Sequence, residues 1–267
     1  MVRPVISVLV VAFSAISAAA TINKRIYAGE PAKEGEVPFI IHFDNACGGS
    51  LLDKTTILTA AHCLAFLQPG NTLSVRAGTL DSIRGGVVAE AACFKIHPEY
   101  YPGRSPAGLF HPNDIAMVRL SSPIEKSNVI RYATLPANGS DPAVGSLATV
   151  AGWGERSSAW DSKLHKVVIP IRERKLCSDV DKGQLAVRDT IVCAGGDGKG
   201  SCDGDSGGPL IDQSEQLIGI VSGGRDCGLP LMYTRVGSYI PFISENLDGS
   251  GPGVCPDGWT KFPIKFS

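Results

Sequence analysis

Ser206 lies in Gly204-Asp205-Ser206-Gly207-Gly208-Pro209. A serine hydroxyl is a poor nucleophile at neutral pH. It becomes a good one when a base takes its proton and hydrogen-bond donors hold the oxyanion that forms. Glycines on either side let the backbone approach a substrate carbonyl closely, so the N–H groups of Gly204 and Ser206 are the candidate oxyanion donors. A Gly-x-Ser-x-Gly pentapeptide by itself occurs in many loops, and the weight falls on two upstream segments. Thr59-Ala60-Ala61-His62-Cys63 offers an imidazole base, and Asn113-Asp114-Ile115-Ala116 offers a carboxylate to orient it. The chemistry these three residues could perform is acyl transfer.

Three further segments carry recognisable patterns: Cys47-Gly48-Gly49-Ser50-Leu51, Ala151-Gly152-Trp153-Gly154, and Ile26-Tyr27-Ala28-Gly29 after a basic residue. In this order, from Ile26 to about Leu247, the chain resembles the chymotrypsin/trypsin/elastase family of serine endopeptidases. The resemblance implies that His62 accepts the Ser206 proton and returns it to the leaving amine, and that Asp114 holds the imidazole in the required tautomer. It also gives Asp205 a partner. A buried carboxylate needs one, and in the family it is the α-amine freed by cleavage before Ile26. Lys24-Arg25 is a dibasic site suited to such processing, and Thr21–Arg25 is then a short activation peptide. Tyr27 and Ala28 depart from the family's Val-Gly, but an α-amine does not depend on those side chains. Two other readings compete. An α/β-hydrolase esterase is disfavoured because its chain order is serine, acid, histidine. A protease-like binding or inhibitory protein without catalysis is the alternative that Tyr27, Gly223 and the tail leave open.

Specificity is read against the same family. Trypsins carry an aspartate six residues before the nucleophile; here that position is Gly200, followed by Ser201. Ser222-Gly223-Gly224 stands where Ser-Trp-Gly is usual, which opens one side of the cleft and leaves the mouth at Gly224 unobstructed. Leu231 falls where a glycine is common and would make the pocket shallow. Asp203 and Asp226 are expected at the rim, where they could attract basic substrates. The expectation is an uncharged apolar P1 residue, with aromatic and aliphatic preferences both open. His42, His97, His111 and His165 have no motif around them and read as ordinary surface or core residues. Calcium is not expected, because the stretch Gly78–Gly86 holds one acidic residue, Asp81, too few oxygen ligands for that ion. No cofactor or metal is expected elsewhere. Asn138-Gly139-Ser140 is a glycosylation sequon.

The elements that must position these residues read as short strands. Val37–Phe43, Ile57–Ala61, Val87–Ile96, Ile115–Leu120, Leu147–Ala151, Val167–Ile171 and Leu217–Val221 are rich in Val and Ile and broken by Gly, Pro, Asn or Asp. The 31 glycines and 18 prolines also favour turns over long helices. This is an all-β pattern of barrel or sandwich type. The resemblance implies two six-stranded antiparallel β-barrels, with His62 and Asp114 from the first and Ser206 from the second. The polar stretch 121–143 reads as their connection. One helix is expected over Val236–Leu247. Beyond it, Asp248–Ser267 is a C-terminal extension that the family usually lacks, expected to pack on the body through Cys255.

The bulk properties fit a secreted protein. Arg3, the apolar run Val5 to Ile16, and Ala18-Ala19-Ala20 read as a signal peptide over residues 1–20; the run is short for a membrane span. A formal charge of −1 gives no electrostatic case for nucleic acid or an anionic membrane. Eight cysteines behind such a signal imply disulfides. The resemblance pairs Cys47 with Cys63, Cys177 with Cys193, and Cys202 with Cys227; Cys93 and Cys255 remain and are paired by elimination. Partners are expected to be protein or peptide substrates and protein inhibitors, for a chain that acts as a monomer.

Overall fold

The computed structural model describes residues 28–68, 70–102, 111–154, 162–180, 188–247 and 251–263. The segments read as a signal peptide and an activation peptide, and Ile26, fall outside these residues. In chain order, β1 (Glu30–Pro31) precedes β2 (Ile40–Phe43), β3 (Gly48–Leu51), β4 (Thr56–Thr59), α1 (His62–Ala65), β5 (Ser74–Ala77), β6 (Val87–Ile96) and β7 (Ala116–Leu120). The second half holds β8 (Leu147–Gly152), β9 (His165–Arg172), α2 (Arg174–Val180), β10 (Ile191–Gly195), β11 (Pro209–Asp212), β12 (Leu217–Gly223) and β13 (Pro230–Arg235). α3 (Ile240–Asn246) and β14 (Thr260–Lys261) complete the chain. Among the described residues, no helix is long and apolar enough to cross a membrane.

Each half closes into a six-stranded antiparallel barrel. The first runs β6-β5-β2-β3-β4-β7 and is closed by β6 on β7; the second runs β9-β10-β13-β12-β11-β8 and is closed by β9 on β8. Alternation along the strands explains the closure. In β9, His165, Val167, Ile169 and Ile171 turn inward while Lys166, Val168, Pro170 and Arg172 face outward. The two barrels have separate cores, with Ile41, Phe43, Leu51, Ile57 and Val118 in the first and Val150, Ile169, Val192, Leu210 and Tyr233 in the second.

Each barrel also carries a seventh strand from outside itself. β1 adds to β9 of the second barrel, and β14, from the tail, adds to β6 of the first. The seven apolar runs correspond to β2, β4, β6, β7, β8, β9 and β12. β3, β5, β10, β11 and β13 give weaker signals because each carries a Gly, Pro or Ser that breaks its apolar pattern. The expected helix over Val236–Leu247 is split: Val236–Tyr239 form a 3₁₀ turn and only Ile240–Asn246 is α-helical. Pro241 has no N–H to give the Gly237 carbonyl, which accepts instead from Gly139 N–H at 2.8 Å.

The extension is part of the first barrel's packing. Trp259 and Phe262 are 7% and 8% exposed. Phe262 lies 5.1 Å from the Phe94 ring, and Trp259 covers the buried Arg119 guanidinium at 5.5 Å. Burial of two such rings is worth about 1.5–3 kcal/mol each. Cys255 is bonded to Cys93 on β6; the other disulfides are Cys47–Cys63, Cys177–Cys193 and Cys202–Cys227, and no described cysteine is free. Cys93–Cys255 spans 162 residues, a loop long enough for a chain-entropy contribution of about 5 kcal/mol. Cys255→Ala should therefore lower the unfolding midpoint by roughly 10 °C while active-site labelling persists. An unchanged midpoint in a thermal scan would remove the tail from the stability of the barrel.

Candidate active site

His62 opens α1, directly after β4, and Asp114 stands just before β7. Ser206 sits in the turn entering β11. Asp114 is wholly buried. Its Oδ1 accepts the His62 backbone N–H at 2.9 Å, and its Oδ2 lies 2.7 Å from His62 Nδ1. Ser222 Oγ donates to the same Oδ2 at 2.6 Å, and Thr234 Oγ1 donates to the Asp114 carbonyl at 2.8 Å. Asn113 takes a left-handed backbone, φ 55°, held by its Nδ2 on Glu99 O and by Tyr239 OH on its Oδ1. That turn brings Asp114 inward. Burial by itself would push the His62 pKa down. The Asp114 charge and the hydrogen bond to it outweigh burial and hold the imidazole above its ordinary value.

The Ser206 turn is built on close backbone approach between the barrels. Gly48 N–H donates to Ser206 O at 2.7 Å. A Cβ on Gly207 would stand 2.3 Å from Thr59 Oγ1 and 2.4 Å from Gly48 O, so no other residue fits. Gly204 and Gly207 both have positive φ, 88° and 78°. Among the described residues, nothing accepts from the N–H groups of Gly204 and Ser206, whereas those of Asp205, Gly207 and Gly208 are bonded to Cys202, Val221 and Asp205 carbonyls. Asp205 is buried. Its carboxylate accepts Gly154 N–H and Cys202 N–H, each at 2.8 Å. Burial pushes its pKa up to about 7, against the two amide bonds, and the nearby Asp203 adds to the rise.

His62, Ser206 and Ser222 line one cleft of about 470 Å³, with Ser201, Asp203, Gly223, Gly224, Asp226 and Leu231. No hydrogen bond joins Ser206 to His62 among the described residues; such contacts often tighten only around substrate. Three sequence expectations change here. Gly224 does not leave an open mouth: the Leu231 side chain fills the space, where a Cβ on Gly224 would meet Leu231 Cδ2 at 1.7 Å. Gly200 is buried behind the same leucine, 3.4 Å from its Cδ1 to an ideal Cβ, and does not line the cleft. His111 is not an ordinary surface residue. Its ring stacks on that of His62, centroids 6.2 Å apart, within the cleft. No motif marks His111, and only its place three residues before Asp114 could have drawn notice. Ser222 lines the cleft and also gives its hydroxyl to Asp114. Arg225 joins Asp203 and Asp226 at the exposed rim. Ser201 Oγ is 3.1 Å from the buried Tyr233 OH.

The grouping of metal-type donors among the described residues, Cys47, His62 and Cys63, is an imidazole beside a disulfide, and disulfide sulfurs lack the thiolate that binds metal. Asn138 is exposed on a turn closed by Ser140 N–H to Ala137 O.

Comparison with known proteins finds similarity to one family across most of the chain. The family model described as Trypsin matches residues 26–243. Trypsin Tyr p 3.0101 of Tyrophagus putrescentiae is 34% identical over 91% of this chain and 88% of its own length. Trypsin delta of Drosophila erecta is 36% identical over 76% of this chain and 79% of its own. Chymotrypsin-C of Rattus norvegicus is 34% identical over 85% of this chain and 90% of its own.

Proposed function

Since the chain belongs to the trypsin family of serine proteases, we propose that it is a secreted endopeptidase in which Ser206, His62 and Asp114 act as one unit. The observation that carries this reading is the buried Asp114 carboxylate, 2.7 Å from His62 Nδ1, in a cleft that also holds Ser206. His62 takes the Ser206 proton as Oγ attacks the scissile carbonyl, and the oxyanion is held by Gly204 and Ser206 N–H. The imidazolium, balanced by Asp114, then protonates the leaving amine. Water repeats the sequence on the acyl-enzyme. Ser222 positions Asp114. Secretion follows from the signal-like residues 1–20. Activation follows cleavage after Arg25, with the Ile26 amine pairing to Asp205. The test is labelling of the cleaved protein with a sulfonyl fluoride. One equivalent on Ser206 with loss of peptide hydrolysis is expected, and no labelling would favour the catalytically silent binding protein.

The substrate preference we infer is an uncharged, apolar P1 residue of moderate size. Relatives named trypsin and chymotrypsin lie at similar identity and do not choose between specificities. Leu231 does the choosing, since it fills the space beside Gly224 and Gly200. A Lys or Arg inserted there would bury a cation without a counter-charge, at a cost of several kcal/mol, roughly 3–5. The carboxylates of Asp203 and Asp226 are exposed and screened. Digestion of a mixed peptide library should give aliphatic P1 residues first, and Leu231→Gly should shift the preference toward larger side chains. Cleavage mainly after Arg and Lys would overturn this reading of the pocket.

A further inference from the structure

Leu80, in the loop between β5 and β6, has a carbonyl that accepts two hydrogen bonds. One comes from Trp153 Nε1 at 3.1 Å and one from Leu164 N–H at 2.7 Å. These donors flank the segment that leaves β8 and returns to β9. The near flank is also the one that reaches the Ser206 turn, because Gly154, next to Trp153, gives its N–H to Asp205 Oδ1.

The loop that offers this carbonyl is itself braced. Arg76 Nε donates to Ser82 O at 3.1 Å and Arg76 Nη1 to Gly85 O at 2.5 Å. Thr79 Oγ1 donates to Arg84 O at 2.9 Å. Ser82 N–H reaches Ser162 O at 2.8 Å, and Lys163 Nζ reaches Asp81 Oδ2 at 3.1 Å.

We propose that the Leu80 carbonyl and the Trp153 indole N–H form a tie between the barrels that positions Gly154 on Asp205, and so makes Trp153 and Arg76 positioning residues for the Ser206 turn. The inference rests on the function proposed above. Its physical basis is that Gly154 cannot anchor itself. A Cβ there would stand 2.6 Å from Asp205 Oδ2, so the site requires glycine, and glycine is the residue with the most backbone freedom to lose. The adjacent indole supplies the constraint. It has one donor and no acceptor, and a half-buried indole N–H selects the orientation that meets a carbonyl. On its other side the ring is packed edge-on by His42, centroids 5.4 Å apart. Around Asp205, the titratable groups are Asp203 on its own turn and Tyr233 on β13, with the Ile26 amine after cleavage. Loss of the Gly154 hydrogen bond would disfavour the Asp205 carboxylate, so that on acidification the competent turn would empty at a higher pH.

The measurement is the burst amplitude of an active-site titrant against pH on the cleaved protein. Amplitude counts competent molecules, whereas His62 titration changes rate. Trp153→Phe keeps the ring and deletes the donor; its amplitude should fall at least twofold near pH 7, with KM for a small ester little changed. Arg76→Gln should move in the same direction, and it decides the matter if Trp153→Phe does not fold. His42→Leu removes ring packing but keeps the N–H; it should lower the melting midpoint and leave the amplitude profile in place. Superimposable profiles for Trp153→Phe and the parent would overturn the tie. So would an equal shift in His42→Leu, which would make packing the cause. A parent protein that gives no burst would instead defeat the protease reading, and the tie with it.

Discussion

Replacing Ser206 by alanine should lower kcat by on the order of 10⁴–10⁶, and adding His62→Ala should cost little more. The near-absence of a second loss follows from the proposed division of labour. Without the nucleophile the base has no proton to take, and without the base the hydroxyl stays a poor nucleophile. A residual rate over uncatalysed hydrolysis should survive, because the Gly204 and Ser206 N–H groups do not depend on either side chain. The pH profile of the parent carries the same signature. His62 must be neutral to act, and Asp114 holds its pKa above the ordinary value despite burial. kcat/KM should therefore rise through a pH above about 6.5. The stabilising effect of the His62–Asp114 pair runs the opposite way: it is fully present below that unfolded value and fades as pH rises through the folded one. Steady-state peptide hydrolysis by purified variants checks the first claim, and unchanged activity in Ser206→Ala would sink it.

The second large effect concerns the uncut precursor, which should be nearly inactive until the bond after Arg25 is cleaved. Asp205 is buried with two amide donors and, among the described residues, no cation in contact. Its folded pKa is pushed up to about 7, whereas an unfolded aspartate titrates near 3.9. Between those values the unfolded chain has released a proton that the folded chain still holds. Precursor stability should thus decline from about pH 4 to about pH 7, by on the order of 4 kcal/mol, and level off above. Asp205→Asn should make the uncut chain more stable at pH 8, as read by denaturant titration, yet abolish the gain of activity on cleavage. On the proposed activation, the α-amine freed by cleavage should supply the missing charge. Pairing with a carboxylate should raise the amine's pKa above the usual value of about 8, so activity should be retained at neutral pH and lost as pH climbs through the raised value. Full activity in an uncleaved Arg25→Gln protein would contradict this account.

Residues whose demands are met within a few positions of themselves were legible in the sequence. Gly207 is glycine because its backbone is left-handed, φ 78°, and the hexapeptide around Ser206 records that demand directly. The strand runs of β2, β4, β6, β7, β8, β9 and β12 could be read for the same reason, since a buried strand needs only its own short apolar pattern. What the sequence left open depends on which side chain occupies a space that another leaves empty. Leu231 fills the hollow beside Gly224 because β12 and β13 bring them side by side. His111 stacks on His62 because α1 and the segment before β7 meet at the cleft. Ser222 gives its hydroxyl to Asp114 across the gap between the barrels, 108 positions away in the chain. None of these contacts has a sequence period or spacing. Each is set by barrel closure and by the docking of one barrel on the other, and hydrogen-bond and packing forces act only at distances that the folded backbone establishes.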